Sequence, residues 1–150
     1  MRVILQRVSH ASCTVDGKIT GEIKDGYMAL IGFKKGDSKE VFEKMAKKII
    51  GLRVFSDEMG KMNKDLKSIN GKILAISQFT LYADSRHGNR PGFTDAMEYN
   101  TAEEYYKEFV EYLRSFGVTV EVGIFGADMK IELLNDGPVT IIIESPDDSK

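Results

Sequence analysis

The amino-terminal stretch is the feature that most constrains the fold of this 150-residue chain. Between Arg2 and Val15, β-branched and small residues alternate with polar ones, and a side-chain period of two is typical of a β-strand. The stretch ends at Asp16-Gly17, a dipeptide that suits the positive φ angles of a tight hairpin turn. Lys18–Ile23 is then the returning strand. We therefore expect the chain to begin with a β-hairpin rather than with a signal peptide.

Further strands are predicted along the chain, interrupted by two helices. Residues 27–33 and 72–81 are apolar enough for buried strands, and residues 118–124, 129–133 and 139–143 show strand patterns near the carboxyl end. This order of elements predicts an α+β fold. In that fold a mostly antiparallel sheet is closed or nearly closed into a barrel, and the two main helices pack outside it.

Two segments carry the apolar periodicity of amphipathic helices, namely residues 37–50 and 101–116. Their apolar faces are formed by Phe42, Met45, Ala46 and Ile49 in the first helix and by Phe109, Leu113 and Phe116 in the second. Asp37 is predicted to cap the first helix and Thr101 the second, each with a glutamate three residues later that completes a capping box. Gly51 and Gly117 are expected to end them.

The segment between the first helix and the next strand is predicted to be a long loop. Residues 57–70 lose all periodicity, and we expect Met59, Met62 and Leu66 to hold this loop against the core. At the carboxyl end, residues 146–150 are expected to form a short flexible tail.

Composition limits the classes of function and predicts one domain over residues 1–145. The net charge is −2, which argues against a protein that wraps a long nucleic acid but not against one that grips the tip of an RNA. One cysteine and two histidines cannot form an internal disulfide or a typical zinc cluster. We therefore expect no metal, no cofactor and a cytoplasmic location. No apolar run approaches the roughly 20 residues of a membrane helix.

The common catalytic patterns are missing. The sequence has no G-x-S-x-G elbow, no Walker phosphate loop and no H-E-x-x-H pair. Cys13 lies three residues from His10, and on a strand that spacing puts the two side chains on opposite faces. His87 lies in a predicted loop beside Arg86 and Gly88, where a solvated surface histidine is the better interpretation.

Two segments are unusual for a simple sheet protein. Residues 77–81 (SQFTL) put hydroxyls and an amide at the end of a buried strand, which is either an ordinary strand end or a site. Residues 135–140 (NDGPVT) contain a proline that cannot donate to a sheet ladder. They form either a plain turn between two strands or, with a cis Gly137-Pro138 bond, a fixed arrangement of carbonyl groups.

These two segments resemble the active-site strand and the Gly-cis-Pro motif of the D-aminoacyl-tRNA deacylase family, also called D-tyrosyl-tRNA deacylases. Further matches are Leu5-Gln6-Arg7-Val8, Phe55-Ser56-Asp57, Gly60-Lys61-Met62-Asn63, Arg90-Pro91 and Ala127-Asp128-Met129. The resemblance runs from about Met1 to Ser145. Because the motifs occur in order along the chain, coincidence is a poor explanation for them.

The resemblance implies a hydrolase that cleaves the ester between a D-amino acid and the 3′-terminal adenosine of tRNA. Its catalytic segment would be Ser77, Gln78, Phe79 and Thr80. N–H groups around Phe79 and Thr80 would hold the carbonyl or the developing oxyanion. The attack would come from Thr80 or from a water aligned by the ribose 2′-hydroxyl. Since no neighbouring residue in the sequence obviously activates Thr80, the water is favoured.

The resemblance also implies how handedness is judged. Gly137 and Pro138 would form a rigid backbone wall that excludes an L side chain and tolerates any D side chain. In this family the motif enters the partner subunit's site, so a homodimer with shared active sites is expected. Arg7 would hold the carbonyls of the motif, or else be an ordinary surface arginine. Met129 would contribute to substrate binding.

Two other classes of function stay open. A non-catalytic nucleic-acid-binding module of the same fold would retain charged tRNA without releasing the amino acid. A small-molecule esterase or amidase would cleave free D-amino-acid esters as readily as the tRNA ester. Relatives of the first class carry appended tails, whereas residues 146–150 are too few for us to expect an extra function. The intact motifs favour the deacylase, with aminoacyl-tRNA and no DNA or membrane as its partner.

Overall fold

The structure is a computed structural model that describes residues 1–146. In chain order the strands are β1 (Arg2–Val15), β2 (Lys18–Ile23), β3 (Gly26–Gly32), β4 (Phe55–Ser56), β5 (Met62–Lys64), β6 (Lys72–Ser77), β7 (Val120–Val122) and β8 (Lys130–Glu144), and the helices are α1 (Phe42–Gly51) and α2 (Tyr99–Ser115). Three short 3-10 turns cover Lys39–Val41, Lys67–Ile69 and Phe79–Tyr82. The predicted flexible tail lies, from residue 147 onward, outside the described residues.

The main sheet curls into a nearly closed barrel. Its order is β2, β1, β3, β6 and β7, and β8 runs along β1 opposite β3 and β2. β1 pairs with β3 as far as Val8 and with β2 from Ala11 onward. This change of partner brings β2 to β7, where a Cβ on Gly21 would lie 2.9 Å from the Val122 carbonyl oxygen. The predicted α+β barrel is confirmed, with parallel β3–β6 and β6–β7 pairs in a sheet expected to be mostly antiparallel.

Apolar layers cover both faces of the sheet, as the alternation along β6 illustrates. Ile73 and Ala75 belong to the layer beneath the two helices, whereas Leu74 and Ile76 belong to a second layer inside the curl. The helices meet through Phe42 and Phe109, whose ring centroids are 5.4 Å apart. The second layer consists of Val8, Ala11, Cys13, Ile23, Met28, Leu74 and Ile76. Burying each valine, leucine, isoleucine or methionine of this layer stabilises the fold by about 1.5–3 kcal/mol.

The predicted cap of the first helix is wrong. A 3-10 turn precedes α1, and the Ser38 hydroxyl caps that turn by accepting a hydrogen bond from the Glu40 N–H at 3.2 Å. Asp37 instead forms an ion pair with the amino-terminal ammonium of Met1 at 2.8 Å. The buried ammonium requires a charged partner, and Asp37 fills that role. Ser38 is then the side chain that caps the turn.

The predicted cap of the second helix is also wrong. α2 begins two residues before Thr101, because the Glu98 carboxylate accepts hydrogen bonds from the N–H groups of Asn100 and Thr101 at 3.0 and 3.1 Å. These bonds to the helix N-terminus lower the pKa of Glu98. Gly117 ends the helix as expected, with a φ of +83° and an N–H that donates to the Arg114 carbonyl at 2.9 Å.

The segment between α1 and β6 differs from the predicted loop. It contains the short antiparallel pair of β4 and β5. Leu66 is fully buried as expected, but Met59 and Met62 are 82% and 59% exposed and do not anchor the segment. Met59 lies in the tight turn between the two strands, where the Asp57 carboxylate accepts from its N–H at 2.8 Å. Its side chain therefore projects away from the core.

Residues 129–133 and 139–143, expected as separate strands, lie largely in one long strand, β8. Gln6 of β1 faces Thr140, and Val8 faces Asn135. β8 therefore uses five residue steps where β1 uses two, and the surplus forms a bulge that contains Gly137-Pro138. The plain-turn interpretation of this segment is wrong, because the chain continues along β1 in the same direction.

Candidate active site

The SQFTL segment leaves the sheet earlier than predicted. β6 ends at Ser77, and the Gln78 N–H donates to the Ile31 carbonyl at 2.8 Å before the chain enters the Phe79–Tyr82 turn. Gly32 allows this turn to pack on β3, because a Cβ there would lie 2.8 Å from the Gln78 carbonyl oxygen. The expected strand over residues 72–81 is therefore cut short by a close backbone contact.

The turn presents two backbone donors. Phe79 and Thr80 begin it, so their N–H groups have no carbonyl inside the turn to donate to. Within residues 1–146 neither N–H has another acceptor. Phe79 itself is 54% exposed and Thr80 is exposed, so the turn lies at the surface of the protein. Two adjacent free N–H groups are the arrangement that stabilises an oxyanion.

A cavity of about 540 Å³ opens beside these donors. It is lined by Ile31, Gly32, Phe33, Ile76, Ser77, Gln78, Phe79, Phe93, Ala96, Met97, Tyr99, Ala102, Phe125, Gly126, Ala127, Met129 and Ile131. Among these described residues there is no carboxylate, imidazole, amine, guanidinium or thiol. The cavity therefore offers apolar surface, a few hydroxyl and amide groups, including the Tyr99 phenol, and backbone donors, but no carboxylate or imidazole to act as a general base.

Aromatic side chains that the sequence reasoning did not single out form much of the cavity wall. Phe79 and Phe93 make an edge contact with ring centroids 5.0 Å apart, and Tyr99 and Phe125 make another at 5.0 Å. Phe93 follows the Arg90-Pro91 motif and Phe125 precedes Ala127. Their nearness to matched motifs is the one signal that pointed to them.

The structure brings four of the expected site residues to the cavity, namely Ser77, Gln78, Phe79 and Met129. Thr80 is exposed beside it, and its hydroxyl oxygen accepts a hydrogen bond from the Gln78 side-chain amide. In the described part of the chain no carboxylate or imidazole bonds to Thr80. Its hydroxyl therefore has no base to take its proton.

The remaining expected residues lie elsewhere on the protomer. Gly137 and Pro138 are exposed and joined by a cis peptide bond, and neither lines the cavity. The Arg7 guanidinium donates to the carbonyls of Asp136 at 2.9 Å and Val54 at 2.6 Å. Arg7 thus holds one carbonyl of the segment 135–140, that of the residue before the dipeptide. β1 and β3 lie between β8 and β6 in the order of the sheet.

Among the described residues, His, Cys, Asp and Glu side chains do not gather anywhere in a group of three that would hold a metal ion. No helix within residues 1–146 is both long and apolar enough to cross a membrane.

Comparison with known proteins gives consistent matches over the whole fold. Residues 4–144 match the family described as D-Tyr-tRNA(Tyr) deacylase. A D-aminoacyl-tRNA deacylase of Limosilactobacillus reuteri is 53% identical over 144 residues, covering 96% of this chain and 99% of the relative. A D-aminoacyl-tRNA deacylase of Dictyoglomus turgidum is 50% identical over 147 residues, covering 98% of this chain and 94% of the relative.

Two solved structures share the fold. The c-Myc DNA Unwinding Element Binding Protein has a TM-score of 0.90 and 41% identity, covering 97% of this chain and 99% of that one. A probable eukaryotic D-amino acid tRNA deacylase has a TM-score of 0.84 at 17% identity, covering 95% and 97% of the two chains. The second likeness is one of fold alone.

Proposed function

Because this chain belongs to the D-Tyr-tRNA(Tyr) deacylase family, an enzyme family that hydrolyses the ester of D-aminoacyl-tRNA, we propose that it cleaves this ester at the Phe79–Tyr82 turn. The products are the free D-amino acid and tRNA. The observation that carries the proposal is the pair of free N–H groups at Phe79 and Thr80, beside a cavity whose described lining has no carboxylate or imidazole.

The ester carbonyl is held at these two donors. Attack by water on an ester places negative charge on the carbonyl oxygen, and fixed donors in an apolar surrounding stabilise that charge most effectively. The cavity beside the turn, at about 540 Å³, is large enough for a nucleoside. Its aromatic wall offers stacking surface for the terminal adenine.

The substrate itself positions the water, and the proton of that water passes to the departing ribose oxygen as the ester bond breaks. No described residue of the cavity wall accepts a proton at neutral pH, and the Thr80 hydroxyl is engaged by Gln78. The ribose 2′-hydroxyl lies next to the esterified oxygen in aminoacyl-tRNA and aligns the attacking water there. Thr80 supports the turn and does not form a covalent intermediate.

A pair of substitutions at one position tests the backbone donors. Phe79→Pro removes the N–H, whereas Phe79→Ala removes the ring and keeps the N–H. Proline is tolerated at the first position of a helical turn, and Gln78 before it is not helical, with φ −144° and ψ 86°. We expect Phe79→Pro to lower kcat on D-tyrosyl-tRNA by about 10²–10³ and Phe79→Ala to lower it by less than about tenfold. Equal losses in two folded variants would contradict the oxyanion role.

Handedness is judged by Gly137-Pro138 from a second copy of the chain. Within one protomer the dipeptide is exposed and lies away from the cavity, so it reaches a cleft only by entering that of a partner. Arg7 fixes its approach by holding the Asp136 carbonyl. A backbone wall excludes an L side chain by steric overlap and makes no contact with a D side chain, which points outward.

The exposed face of β8 supports such a homodimer. Leu134 and Ile142, on either side of the dipeptide, are 53% and 61% exposed. Apolar side chains in a row on an outer strand are typical of surfaces that a partner covers. A homodimer formed through this face brings two copies of the dipeptide to two clefts.

Replacing Pro138 tests the wall. We expect Pro138→Ala to raise the rate on L-tyrosyl-tRNA by about tenfold or more while the rate on D-tyrosyl-tRNA changes little. Val139→Ala is the matched control beside it. Unchanged discrimination between the two substrates in a folded, dimeric Pro138→Ala protein would rule the wall out.

A binding function without catalysis is the second candidate, because one similar structure is named a DNA-unwinding-element binding protein. A deacylation assay with purified protein separates the two. Release of the D-amino acid from tRNA supports the enzyme, whereas retention of charged tRNA without release supports the binding module. Equal cleavage of free D-tyrosine methyl ester would instead indicate a small-molecule esterase.

A further inference from the structure

A polar groove lies at the far end of the turn that carries the two backbone donors. Its volume is about 270 Å³, and its lining includes Arg2, Lys34, Tyr82, Asp84 and Arg86. Phe79 at the start of the turn lines the apolar cavity, and Tyr82 at its end lines the groove. Three steps of a 3-10 turn cover about 6 Å, which equals one or two nucleotide steps in a stacked strand.

Backbone contacts attach the groove firmly to the cavity. Asp84 pairs with Gly92 in both directions, at 2.8 and 2.9 Å, which closes the loop between them. Phe93 follows and packs on Phe79. The Lys35 N–H then donates to the Asp95 carbonyl at 2.9 Å. The lysines beside the groove therefore keep a fixed distance from the site.

Positive charge collects around this groove although the whole chain carries −2. The cations are Arg2, Lys34 and Arg86 in the lining, with Lys35 and Arg90 next to them in the chain segments that form it. The carboxylates among them are Asp84, Asp95, Glu144 and Asp37, which accepts from the Lys34 N–H at 2.6 Å and pairs with the amino-terminal ammonium of Met1. Residues 85–94 contain no acid at all. With that ammonium, six cationic groups against four carboxylates leave a local excess of positive charge.

The ion pairs show which of these cations are available to bind a phosphate group. Arg86 binds Asp84 through two nitrogens, both at 2.9 Å, and Arg2 pairs with Glu144. Lys34 and Lys35 are exposed and form no ion pair with any residue of the described chain. A lysine without a carboxylate partner binds a phosphate at the lowest cost.

The groove also has an aromatic floor. The Arg2 guanidinium lies 4.8 Å above the centroid of the Tyr82 ring and donates to the Leu81 carbonyl at 2.5 Å. Single-stranded RNA is recognised by phosphate contacts to cations together with stacking of bases on aromatic rings and guanidinium planes. This groove combines both features.

We propose that the groove binds the one or two nucleotides that precede the terminal adenosine of the RNA, with Lys34 and Lys35 as the principal phosphate contacts. The assignment rests on the proposed function, because it requires the terminal adenosine to occupy the cavity. The strand leaves the cavity past Phe79–Tyr82 and enters the groove with its phosphates toward the two lysines.

Two substrates and two double variants test the groove. The substrates are D-tyrosyl-tRNA and D-tyrosyl-adenosine, which has no phosphate. The variants are Lys34→Ala/Lys35→Ala and the matched control Lys47→Ala/Lys48→Ala, which removes an exposed lysine pair from α1 that lines neither the cavity nor the groove. Both variants lose the same two charges.

For Lys34→Ala/Lys35→Ala we expect kcat/KM on D-tyrosyl-tRNA to fall by about tenfold or more at low salt. The slope of log(kcat/KM) against log salt should become shallower by about 1–1.5, since each single-strand phosphate contact contributes about 0.7. D-tyrosyl-adenosine should be cleaved at the wild-type rate. The control variant should match wild type on both substrates.

Three results would overturn the groove: an unchanged rate on tRNA, an equal fall on both substrates, or an equal fall in the control variant. Anisotropy with an uncharged RNA hairpin that ends in CCA measures binding without hydrolysis. There Lys34→Ala/Lys35→Ala should weaken binding by about tenfold relative to the control. If wild type hydrolysed neither ester, the proposed function would fail, and the hairpin measurement would still decide on the groove.

Discussion

At the scale of single residues, Gly26 sets the contact between β3 and β6. Its φ is +151°, and a Cβ there would overlap the Lys72 carbonyl oxygen and lie 2.8 Å from the Lys72 nitrogen. Both Lys72 atoms belong to the backbone, so a side chain at position 26 fits only if β3 and β6 move apart. Because β6 leads directly into the Phe79–Tyr82 turn, Gly26 supports the candidate site from a distance.

We expect Gly26→Ala to lower the free energy of unfolding by at least about 3 kcal/mol, measured by urea denaturation. Gly51→Ala is the control, since Gly51 has nothing within 4 Å of a Cβ and is the last residue of α1. That variant should be neutral or more stable by up to about 1 kcal/mol. Similar stabilities for the two variants would show that the β3–β6 contact yields more easily than its geometry indicates.

The contacts of Thr80 favour a supporting role for this residue over that of a covalent nucleophile. Its hydroxyl accepts from Gln78 and has no base beside it. Thr80→Ala should therefore lower kcat on D-tyrosyl-tRNA by less than about tenfold, whereas loss of a covalent nucleophile costs about 10⁴ or more. Single-turnover kinetics separates these outcomes. A loss of the larger size with unchanged substrate binding would restore Thr80 as the nucleophile.

At the scale of elements, the loop between Asp84 and Gly92 depends on an ion pair. Hydrogen bonds from the Arg86 guanidinium and its backbone N–H lower the pKa of Asp84 to about 2. The folded pKa thus lies below the ordinary value of about 3.9. The stabilisation from this carboxylate is therefore complete above about pH 5 and is lost as the pH falls through 4 toward 2.

An NMR titration of the Asp84 carboxyl group tests this dependence. Arg86→Gln should raise the Asp84 pKa toward about 3.9 and should make the loop lose order at a higher pH than in wild type. Arg90→Gln, on the same loop without an ion pair to Asp84, is the control and should leave the titration unchanged. An Asp84 pKa that did not respond to Arg86→Gln would contradict the assigned cause.

The elements also show which parts of the fold are predictable from sequence. The first hairpin has the predicted bounds because Asp16-Gly17 and the alternation around it act locally. The helix caps are not local in this sense, since several polar side chains near each helix start compete for the same N–H groups. Tertiary contacts determine which side chain becomes the cap. Asp37, for example, pairs with the amino-terminal ammonium of Met1 and does not cap α1.

At the scale of the whole molecule, the candidate site is only partly predictable. Residues 77–80 and Met129 were identified by their resemblance to a family, and Ser77, Gln78, Phe79 and Met129 line the cavity. Phe93, Tyr99 and Phe125 were missed, because they come from three loops or helix ends that only the closed barrel brings together. The periodicity of apolar residues reports local structure, so it cannot predict that these distant residues lie close together.

The proposed homodimer makes a further prediction about the exposed dipeptide of β8. If each cleft receives the Gly137-Pro138 of its partner, a subunit with an intact dipeptide corrects the selectivity of a partner that lacks Pro138. Co-expression of Pro138→Ala with excess Phe79→Pro therefore places most working clefts opposite an intact dipeptide. Phe79→Pro contributes that dipeptide but almost no activity of its own.

With an effect of about tenfold of Pro138→Ala on the L rate, we expect the ratio of L- to D-tyrosyl-tRNA cleavage to fall to about one half of the Pro138→Ala value at equal amounts of the two chains. At a ninefold excess of Phe79→Pro it should fall to about one fifth, because subunits of a homodimer pair at random. The control replaces Phe79→Pro by the double variant Phe79→Pro/Pro138→Ala, which dilutes the clefts without supplying the dipeptide. With it the ratio should stay constant. A ratio that ignored the intact dipeptide in both mixtures would mean that each protomer judges handedness with its own residues, and the exposed face of β8 would then need another explanation.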